Sequence, residues 1–480
     1  MTPLSFTFSR RNFLKSTGAA FVVAGSFPLA GRTQQNGAIN PLRIPAQLEG
    51  RDEGGVQVYD LTMRKGISTF FEGYETETLG LNGDYLGPTL RMRDGETVRI
   101  NVTNTIGETS TLHWHGMHLP AKMDGGPHQP IRDGETWSPE FTVKQKAAAL
   151  WYHSHQMEKT AEHVWRGLAG MVWIDDAESD TIELPKTYGT DDLPLVLHDR
   201  RFASDGSMEY RAGMREMMMG MIGNVPLANG TVDPYFDATT EKLRLRILNG
   251  SNATFYYLGL DNDQPFTQVA SDGGFLETPV EMTRLLLGPA ERAEIVIDLE
   301  PGQVVSLRNI SNALPFRFLE IRAAETLTPS PAIPARLTDI EWLKPEDAVV
   351  TRRFDMETRM GGMMGGGGNA HTINGKVMDM MRIDETVKMG DTEIWEIRNV
   401  SGMPHVWHMH DVQFQILDRN GKPPLANEMA RKDAVTLRGG EVVRLIMRFE
   451  DYADPDTPFM YHCHILEHED AGMMGQFVVV

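Results

Sequence analysis

TVRINVTN, residues 97–104, is a run of alternating apolar and polar residues that ends in asparagine, and it recurs. The two later copies are KLRLRILNGS (242–251) and EIWEIRNVS (393–401). The asparagines that end the three runs are 145 and 150 residues apart: Asn104, Asn249 and Asn399. A fixed long period is the signature of a repeated structural unit. The sequence therefore predicts three copies of one domain.

Each copy consists of short segments in which apolar and polar residues alternate, the pattern of a half-buried β-strand. Turn signals separate these segments, among them NGD (82–84), DGG (272–274) and RNGKPP (419–424). Long stretches with helical periodicity are rare. This pattern predicts an all-β protein built from repeated Greek-key sandwiches or barrels.

Length and charge limit the function. A chain of 480 residues divides into about three domains at ~150 residues each. Its formal net charge is -20, from 46 basic and 66 acidic residues, and no segment forms a basic stripe. We therefore expect no nucleic-acid partner and no binding to anionic membrane surfaces.

The N-terminus resembles an export signal. SRRNFLKSTGAAFVVAGSFPLAG (9–31) contains paired arginines followed by a short apolar run rich in glycine and alanine. This resembles a twin-arginine signal, which would be removed over residues 1–31 and place the protein in the periplasm, outside the cell or at its surface. The alternative is a membrane anchor, but the run is shorter than the ~20 residues that span a bilayer.

The chain contains one cysteine, in the segment MYHCHILEHEDAGMMG (460–475). An exported chain with one cysteine has no intrachain disulfide, so Cys463 is either an inert buried thiol or a functional thiolate. In a strand, alternate side chains point to opposite faces. His462 and His464 therefore share one face and Cys463 occupies the other, so that one tripeptide can serve two metal sites.

On the cysteine face, the candidate ligands are a thiolate, two imidazoles and a thioether. Cys463, His468 and Met473 come from this segment, and His405 comes from an adjacent strand. A His2Cys set with a weak axial thioether is typical of an electron-transfer blue copper. A His2Cys zinc site is the alternative, but a soft thioether adds little for zinc. The pattern favours copper.

The first and third domains share a second, sharper similarity. WYHSH (151–155) matches MYHCH (460–464), and GLAGMVW (167–173) matches GMMGQFV (472–478). When the two domains are aligned in this register, three candidate ligands of the third domain are replaced in the first. Ser110 stands at the position of His405, Ser154 at that of Cys463 and Leu168 at that of Met473. We therefore expect the cysteine-face site only once.

On the opposite face the chain offers four His-x-His pairs, two in the first domain and two in the third. The pairs are His113 with His115, His153 with His155, His408 with His410, and His462 with His464. Eight imidazoles suit several copper ions at the interface of the two domains. A single buried histidine is often only a hydrogen-bonding core residue, but four pairs fit that alternative poorly.

Four motifs in this order, HWHG (113–116), HSH (153–155), HVWHMH (405–410) and HCHILEHEDAGMM (462–474), resemble those of the multicopper oxidases. That family includes laccases, bilirubin oxidases and bacterial cuprous oxidases. The resemblance extends over the mature chain, including LGPTLRMRDGETVRI (86–100) and LLLGPAERAEIVIDL (285–299). It implies three cupredoxin-like domains and four copper ions. The expected domains are residues 44–180, 181–345 and 346–480, the second a spacer without copper ligands.

The resemblance also implies how the ligands divide among the coppers. A type 1 copper would be bound by His405, Cys463, His468 and Met473. A type 2 copper would be bound by His113 and His408. The two type 3 coppers would be bound by His115, His153 and His464, and by His155, His410 and His462.

In such enzymes a reductant gives single electrons to the type 1 copper, and the electrons pass through Cys463 to the cluster, where O2 becomes two waters. Four protons are also needed. Asp124 in MDGGP and Glu469 after His468 match positions that relay protons in the family. The alternative for each is a solvated or capping carboxylate.

The reductant has two candidate classes. Phenols, aromatic amines or similar donors come first, because the Met-rich insertion of cuprous oxidases is short here and Ser401 stands where an Asp is expected upstream of His405. Cu(I) is the alternative, since Met403 is retained and FDMETRMGGMMGGGGN (354–369) reads as a mobile loop with exposed thioethers. The earlier cluster GMREMMMGMIG (213–223) is interpreted as core filling.

A third possibility is a scaffold protein that keeps the fold without turnover. One chain supplies every candidate ligand of the cluster. We therefore expect a monomer.

Overall fold

The structure, a computed structural model, describes residues 38–211, 213–311, 313–359 and 370–480. The expected export signal lies outside these residues. The described strands form six sheets, with two sheets in each third of the chain. The predicted all-β, three-domain architecture is confirmed, while the exact domain boundaries stay predictions.

The first domain consists of two sheets. The strands that precede and form it are β1 (Asn40–Pro41), β2 (Gln47–Glu49), β3 (Arg51–Glu53), β4 (Val56–Ser68), β5 (Thr76–Leu81), β6 (Thr89–Arg93), β7 (Thr97–Thr105), β8 (His113–His115), β9 (Thr136–Trp137), β10 (Glu140–Thr142), β11 (Ala148–His153) and β12 (Ala169–Asp175). One sheet has the order β10-β7-β4-β3, with β5 and β9 paired to β4 and β7, and the other has the order β2-β6-β12-β11-β8.

The second domain repeats the two-sheet plan. Its strands are β13 (Asp192–Arg200), β14 (Val225–Ala228), β15 (Thr231–Val232), β16 (Pro234–Thr240), β17 (Lys242–Asn249), β18 (Tyr256–Leu260), β19 (Phe266–Ser271), β20 (Gly274–Met282), β21 (Leu285–Leu287), β22 (Arg292–Asp298), β23 (Val304–Asn309) and β24 (Arg317–Thr328). The sheet orders are β15-β14-β13-β17-β22-β19-β20 and β1-β16-β24-β23-β18-β21. The N-terminal strand β1 thus pairs with the second domain.

The third domain completes the series. Its strands are β25 (Ala348–Thr358), β26 (His371–Ile373), β27 (Glu385–Val387), β28 (Thr392–Asn399), β29 (His405–Met409), β30 (Gln415–Arg419), β31 (Ala434–Leu437), β32 (Val442–Arg448), β33 (Asp454–Cys463) and β34 (Met474–Val479). They form the sheets β26-β25-β28-β32-β30 and β27-β34-β33-β29-β31.

Helices are short and lie in the loops. The α-helices are α1 (Thr160–Arg166), α2 (Met214–Met219) and α3 (Leu466–Asp470), and 3-10 turns occur at Ala121–Met123, Ser179–Thr181, Pro345–Asp347 and Ala426–Glu428. Within the described residues, no helix has the length and hydropathy needed to cross a membrane.

The recurring asparagines explain why the repeat was visible in the sequence. Each stands at the end of its strand or one residue before it, is buried, and accepts a hydrogen bond through Oδ1 from the backbone N–H two residues later. Each Nδ2 donates to a carbonyl four or five residues later and to one across the domain. The backbone N–H and C=O groups of a buried loop need hydrogen-bond partners. In each of the three domains, one asparagine side chain supplies such partners to the loop that follows its strand.

We expect Asn249→Asp to destabilise the protein. The Nδ2 of Asn249 donates to the carbonyls of Thr254 and Leu287, both at 2.9 Å. A carboxylate oxygen in its place leaves both carbonyls without a donor, at a cost of about 2–4 kcal/mol. Urea unfolding measures the loss. Asn262→Asp, at an exposed site, is the matched control and should change stability by less than about 0.5 kcal/mol.

Candidate metal centres

The cysteine-face residues meet between two paired strands of the third domain. In the register of β29 and β33, Trp407 lies opposite Cys463. The Nδ1 atoms of His405 and His468 lie 3.4 and 3.7 Å from Cys463 Sγ. The ligand atoms of these three residues all lie within 4.8 Å of one another. Met473 is also buried there, and its carbonyl accepts a hydrogen bond from the Cys463 amide at 3.0 Å.

Both imidazoles of this set are fixed through their other nitrogen. His405 Nε2 lies 3.2 Å from Ser401 Oγ, so the residue that stands in place of an expected aspartate contacts the ring. His468 Nε2 donates to the carbonyl of Met218 at 3.1 Å. Hydrogen bonds of this kind orient metal-binding imidazoles and select the tautomer that leaves Nδ1 free. The two Nδ1 atoms therefore face the sulfur.

Burial sets the charge states of these groups. It raises the pKa of the Cys463 thiol to about 12 and lowers the pKa of His405 to about 3. It also lowers the pKa of His468 well below its usual value. The imidazoles are therefore neutral, which is the form that binds metal, and the thiol loses its proton only when a cation binds.

The eight histidines of the opposite face are all buried and converge between the first and third domains. His113 pairs with His153 across β8 and β11, and His408 pairs with His462 across β29 and β33. Rings from the two domains then stack on each other. His113 lies over His410 and His115 over His408, each with ring centroids 3.7 Å apart. The cluster is thus an interface between domains.

One predicted three-histidine set is compact. His462 Nε2 lies 3.2 Å from His155 Nε2 and 3.3 Å from His410 Nε2. The other set has similar ring separations, since the ring centroids of His155, His410 and His462 are 4.8 to 5.4 Å apart. Ring centroids of His115, His153 and His464 are 5.1 to 5.6 Å apart.

The predicted type 2 pair, His113 and His408, has ring centroids 6.0 Å apart. Short distances between ring nitrogens also link His113 with His115 and His153, and with His408 and His410. The structure therefore brings all eight residues together, and the division among individual metal ions stays a prediction.

Several cluster imidazoles have one nitrogen in contact with a backbone carbonyl and the other nitrogen unpaired. Nδ1 contacts a backbone carbonyl in His113, His153, His408 and His462, at 2.8 to 3.1 Å. Several buried nitrogens have no hydrogen-bond partner among the described residues: Nε2 of His113, His153 and His408, Nδ1 of His115, and both nitrogens of His464. Unpaired buried polar atoms are rare. Metal ions fit this arrangement, because they bind the unprotonated nitrogens that the outer contacts leave free.

Burial also favours neutral rings in the cluster. It lowers the pKa values of several imidazoles well below their usual value: His115, His153, His155, His408 and His464. Neighbouring imidazoles lower them further. Protonating this site is therefore costly in the absence of metal.

Each predicted proton-relay residue contacts two cluster histidines. Asp124 Oδ2 lies 2.7 Å from His410 Nδ1, and its Oδ1 lies 3.4 Å from His113 Nδ1. Glu469, on α3, lies 3.3 Å from His155 Nδ1 and 3.2 Å from His462 Nδ1.

Both carboxylates are buried, and burial alone would raise their pKa values. The adjacent imidazoles outweigh burial, lowering the pKa of Asp124 far below its usual value and that of Glu469 to about 2. Both therefore stay ionised beside the cluster.

The sequence interpretation missed two residues of the site. Asp433 Oδ1 lies 3.0 Å from His115 Nε2, and the Asp433 carbonyl accepts a hydrogen bond from His408 Nδ1 at 2.8 Å. Arg292, from the second domain, donates to both oxygens of Asp433. Neither lies in a histidine motif. Arg292 does lie in the segment LLLGPAERAEIVIDL (285–299), and the resemblance of that segment to the multicopper oxidases was a sequence signal for it.

The place in the first domain that corresponds to the cysteine-face site holds hydroxyl groups. Ser154 Oγ lies 3.0 Å from Ser110 Oγ and 2.8 Å from His163 Nδ1, and Leu168 is buried nearby. The expectation that these residues replace the ligands agrees with this packing. His163 was not recognised in the sequence as the ring that fills this place.

Helix α2 covers the cysteine-face site, contrary to the interpretation of residues 213–223 as core filling. Its methionine side chains are partly or largely exposed, with Met214, Met217 and Met219 at 59%, 39% and 48%. Met221 alone of that segment's methionines is buried in the core. The later cluster lies mostly in residues 360–369, outside the described residues.

The carbonyls at the end of α2 hold two stacked imidazoles. Met218 accepts a hydrogen bond from His468, and Met217 accepts one from His371 at 2.8 Å. The rings of His371 and His468 are stacked with centroids 4.0 Å apart. Helix α2 therefore lies over His468, whose side chain is fully buried.

Family models described as multicopper oxidase match residues 62–179 and residues 347–480. The multicopper oxidase of Staphylococcus aureus is 38% identical, and the match covers 92% of both chains. The cell division protein FtsP of Yersinia pestis is 34% identical over 99% of both chains.

The solved structure of the laccase-like multi-copper oxidase CueO from the lignin-degrading bacterium Ochrobactrum sp. is 37% identical. Its TM-score is 0.86, and the match covers 92% of this chain and 100% of that chain. The predicted set of three cupredoxin-like domains is thereby confirmed. With these relatives, and with a buried set of imidazoles and one thiol able to bind copper, the chain belongs to the multicopper oxidase family.

Proposed function

We propose that the protein is an active oxidase that couples four one-electron oxidations of a reducing substrate to the reduction of O2 to two waters. The observation that carries the proposal is the complete and buried ligand set, in which several inward-facing nitrogens have no hydrogen-bond partner among the described residues. A protein that used this fold only as a scaffold would have no need for such costly atoms.

The proposed protein carries four copper ions. We assign the type 1 copper to His405, Cys463, His468 and Met473, and the type 2 copper to His113 and His408. We assign the type 3 pair to His115, His153 and His464, and to His155, His410 and His462. Support comes from the sulfur-facing Nδ1 atoms of the first group and the compact nitrogens of the last.

When bound, copper would supply the one-electron chemistry at the first site and the binding and reduction of O2 at the cluster. The chain supplies a short fixed connection between the two sites, since Cys463 is bonded to His462 and His464. Asp124 and Glu469 are the proposed catalytic carboxylates. Each contacts the Nδ1 atoms of two cluster imidazoles as an ionised group, and each would take up a proton only transiently while passing it towards the cluster.

Phenols, aromatic amines or similar organic donors are the first candidate reductants. The support is the similarity to a laccase-like oxidase whose described activity is towards lignin model compounds and lignosulfonate. Electrons from such donors would cross α2, whose carbonyls contact His468 and His371.

Cu(I) is the second candidate reductant, and α2 is the observation that favours it. Three exposed thioethers lie on the helix that covers His468. Soft Cu(I) prefers thioether ligands over nitrogen and oxygen ligands. Oxygen uptake by the copper-loaded protein, with a phenol or with Cu(I), separates the two candidates. Absence of uptake with both would leave the third possibility, a scaffold protein that keeps the fold without turnover.

The proposed location is outside the cytoplasm after twin-arginine export, and the proposed oligomeric state is a monomer. The support is the paired arginines Arg10 and Arg11 and the presence of all twelve proposed ligands in one chain.

We expect Cys463→Ser to abolish the intense blue charge-transfer band. Cys463 supplies the only thiolate, and a serine hydroxyl gives no such band. The coppers of the histidine cluster should remain, because their ligands lie on the other face of β33. Absorption and copper content measure both results. A mutant that stays blue would refute the type 1 assignment.

We expect Asp124→Asn to separate the two halves of the reaction. The substitution is nearly isosteric but removes the charge that faces His410 and His113. The blue band and the rate of reduction by substrate should therefore stay unchanged, while reoxidation by O2 slows by about 10²-fold or more. Stopped-flow measurement of each half-reaction is the test. Slower reduction with normal reoxidation would place Asp124 on the donor side.

We expect Met217→Leu/Met219→Leu to distinguish the donors. Leucine keeps the size and apolar character of methionine but removes the thioethers on α2. If Cu(I) is the substrate, its oxidation should slow by about tenfold or more, with phenol oxidation unchanged. Met381→Leu, at a residue that is 90% exposed and outside α2, is the control. Equal rates for all variants with Cu(I) would remove the second candidate.

A further inference from the structure

The second domain reaches the histidine cluster through one buried arginine. Arg292 begins β22, and both Arg292 and Asp433 of the third domain are 1% exposed. Nη1 and Nη2 of Arg292 lie 2.6 and 2.5 Å from the two oxygens of Asp433. Nε of Arg292 donates to the carbonyl of Ala149 in the first domain at 3.2 Å. One side chain therefore contacts all three domains.

The arginine is itself held in place by its own domain. Its amide donates to Asp272 Oδ1 at 2.7 Å, and its Nη2 donates to the Asp272 carbonyl at 3.0 Å. Lys432, the neighbour of Asp433, forms an ion pair with Asp272 at 2.8 Å. Because every guanidinium nitrogen has an acceptor, the group has little freedom to rotate. It presents a fixed pair of donors to Asp433.

Gly116, directly after His115, shows how closely this pair is packed against the site. A Cβ atom there would lie 2.5 Å from Asp433 Oδ2 and 2.8 Å from Arg292 Nη2. The backbone of Gly116 also has a φ of +85°. The glycine of the HWHG motif is thus required by the ion pair as well as by the turn.

Asp433 determines which nitrogen of His115 faces the cluster. His115 Nε2 contacts the Asp433 carboxylate, and its Nδ1 has no partner among the described residues. His113, His153 and His408 have the opposite orientation, with Nδ1 anchored and Nε2 unpaired. His115 is therefore oriented differently from these three neighbours, and the carboxylate of Asp433 is the cause.

The carboxylate of Asp433 is also a potential copper ligand. Asp433 Oδ1 lies 3.0 Å from His115 Nε2 and 3.8 Å from His408 Nδ1, the nitrogens of these rings that point away from the cluster, so the three residues form a possible metal-binding group by themselves. A free carboxylate here would compete for a copper ion. Arg292 prevents this, because it occupies both oxygens and offsets their charge.

We propose that Arg292 is a positioning residue that keeps Asp433 as the hydrogen-bond acceptor of His115 and excludes it as a copper ligand. The second domain, expected from the sequence to be a spacer, thereby controls the coordination of the cluster. This inference rests on the proposed copper sites.

The test is Arg292→Gln in the copper-loaded protein, examined by electron paramagnetic resonance (EPR) and absorption. Glutamine cannot donate to both oxygens or neutralise Asp433, so the carboxylate is free to bind copper. We expect a changed EPR spectrum of the histidine-bound coppers and reoxidation by O2 about 10- to 100-fold slower. The blue band should keep its intensity, because its ligands lie on the other face of β33.

Arg246→Gln is the matched control. Arg246 is another buried arginine of the second domain; it is paired with Asp192 at 2.6 Å and lies over the first-domain Trp173 ring at 3.8 Å. It contacts no cluster histidine. This variant should lose stability but keep the wild-type EPR spectrum. If it changes the EPR spectrum as Arg292→Gln does, the effect is general loosening of the domains and the proposal fails.

A double variant covers the case in which Arg292→Gln does not fold. Arg292→Gln/Asp433→Asn removes the unpaired buried charge, and the asparagine oxygen can still accept from His115 Nε2. We expect this variant to regain the wild-type EPR spectrum. A single variant with a wild-type spectrum, or a folded double variant with an altered one, overturns the proposal. Failure of the wild-type protein to bind four coppers would instead overturn the proposed function.

Discussion

Along β33, successive side chains leave the backbone on opposite faces of the sheet, and the rest of the site depends on this alternation. Cys463 points into the third domain, where it meets His405 and His468. His462 and His464 point out of that domain, towards the histidines of the first. The same geometry determines how the domains pack against each other. A site built from outward-facing residues must be closed by another domain, so the first and third domains have to pack against each other.

That packing places many polar groups where water does not reach. The structure resolves this for His113, His153 and His408 by giving each imidazole an outer contact and leaving an inner nitrogen for metal. Carboxylates follow the same rule, because Asp124 and Glu469 each contact two rings. The second domain takes part through Arg292, which balances the buried charge of Asp433. Preorganisation here is therefore a property of all three domains, although two of them supply the ligands.

Short sequence patterns predicted the three β-domains and the histidine cluster. Strand alternation and the recurring Asn104, Asn249 and Asn399 indicated three β-domains, and the His-x-His pairs indicated the cluster. Residues that act over long sequence distances could not be found in this way. Asp433 and Arg292 are 141 residues apart, and nothing near either of them signals a metal site. The position of α2 was misread for a related reason: a run of methionines looks the same whether it fills a core or covers one.

The serine hydroxyls and the imidazole that are clustered in the first domain bear on where electrons would enter the proposed enzyme. Ser110, Ser154 and His163 occupy the place that His405, Cys463 and His468 occupy in the third domain, and their hydrogen bonds keep that place filled without a metal. Ser154, like Cys463, stands between two cluster histidines. A second site of the same kind in the first domain would give the proposed enzyme a second approach to the cluster. Because serine would not conduct as a thiolate–copper bond does, the proposed oxidase would have a single place at which electrons enter the cluster, and they would pass through it in one direction.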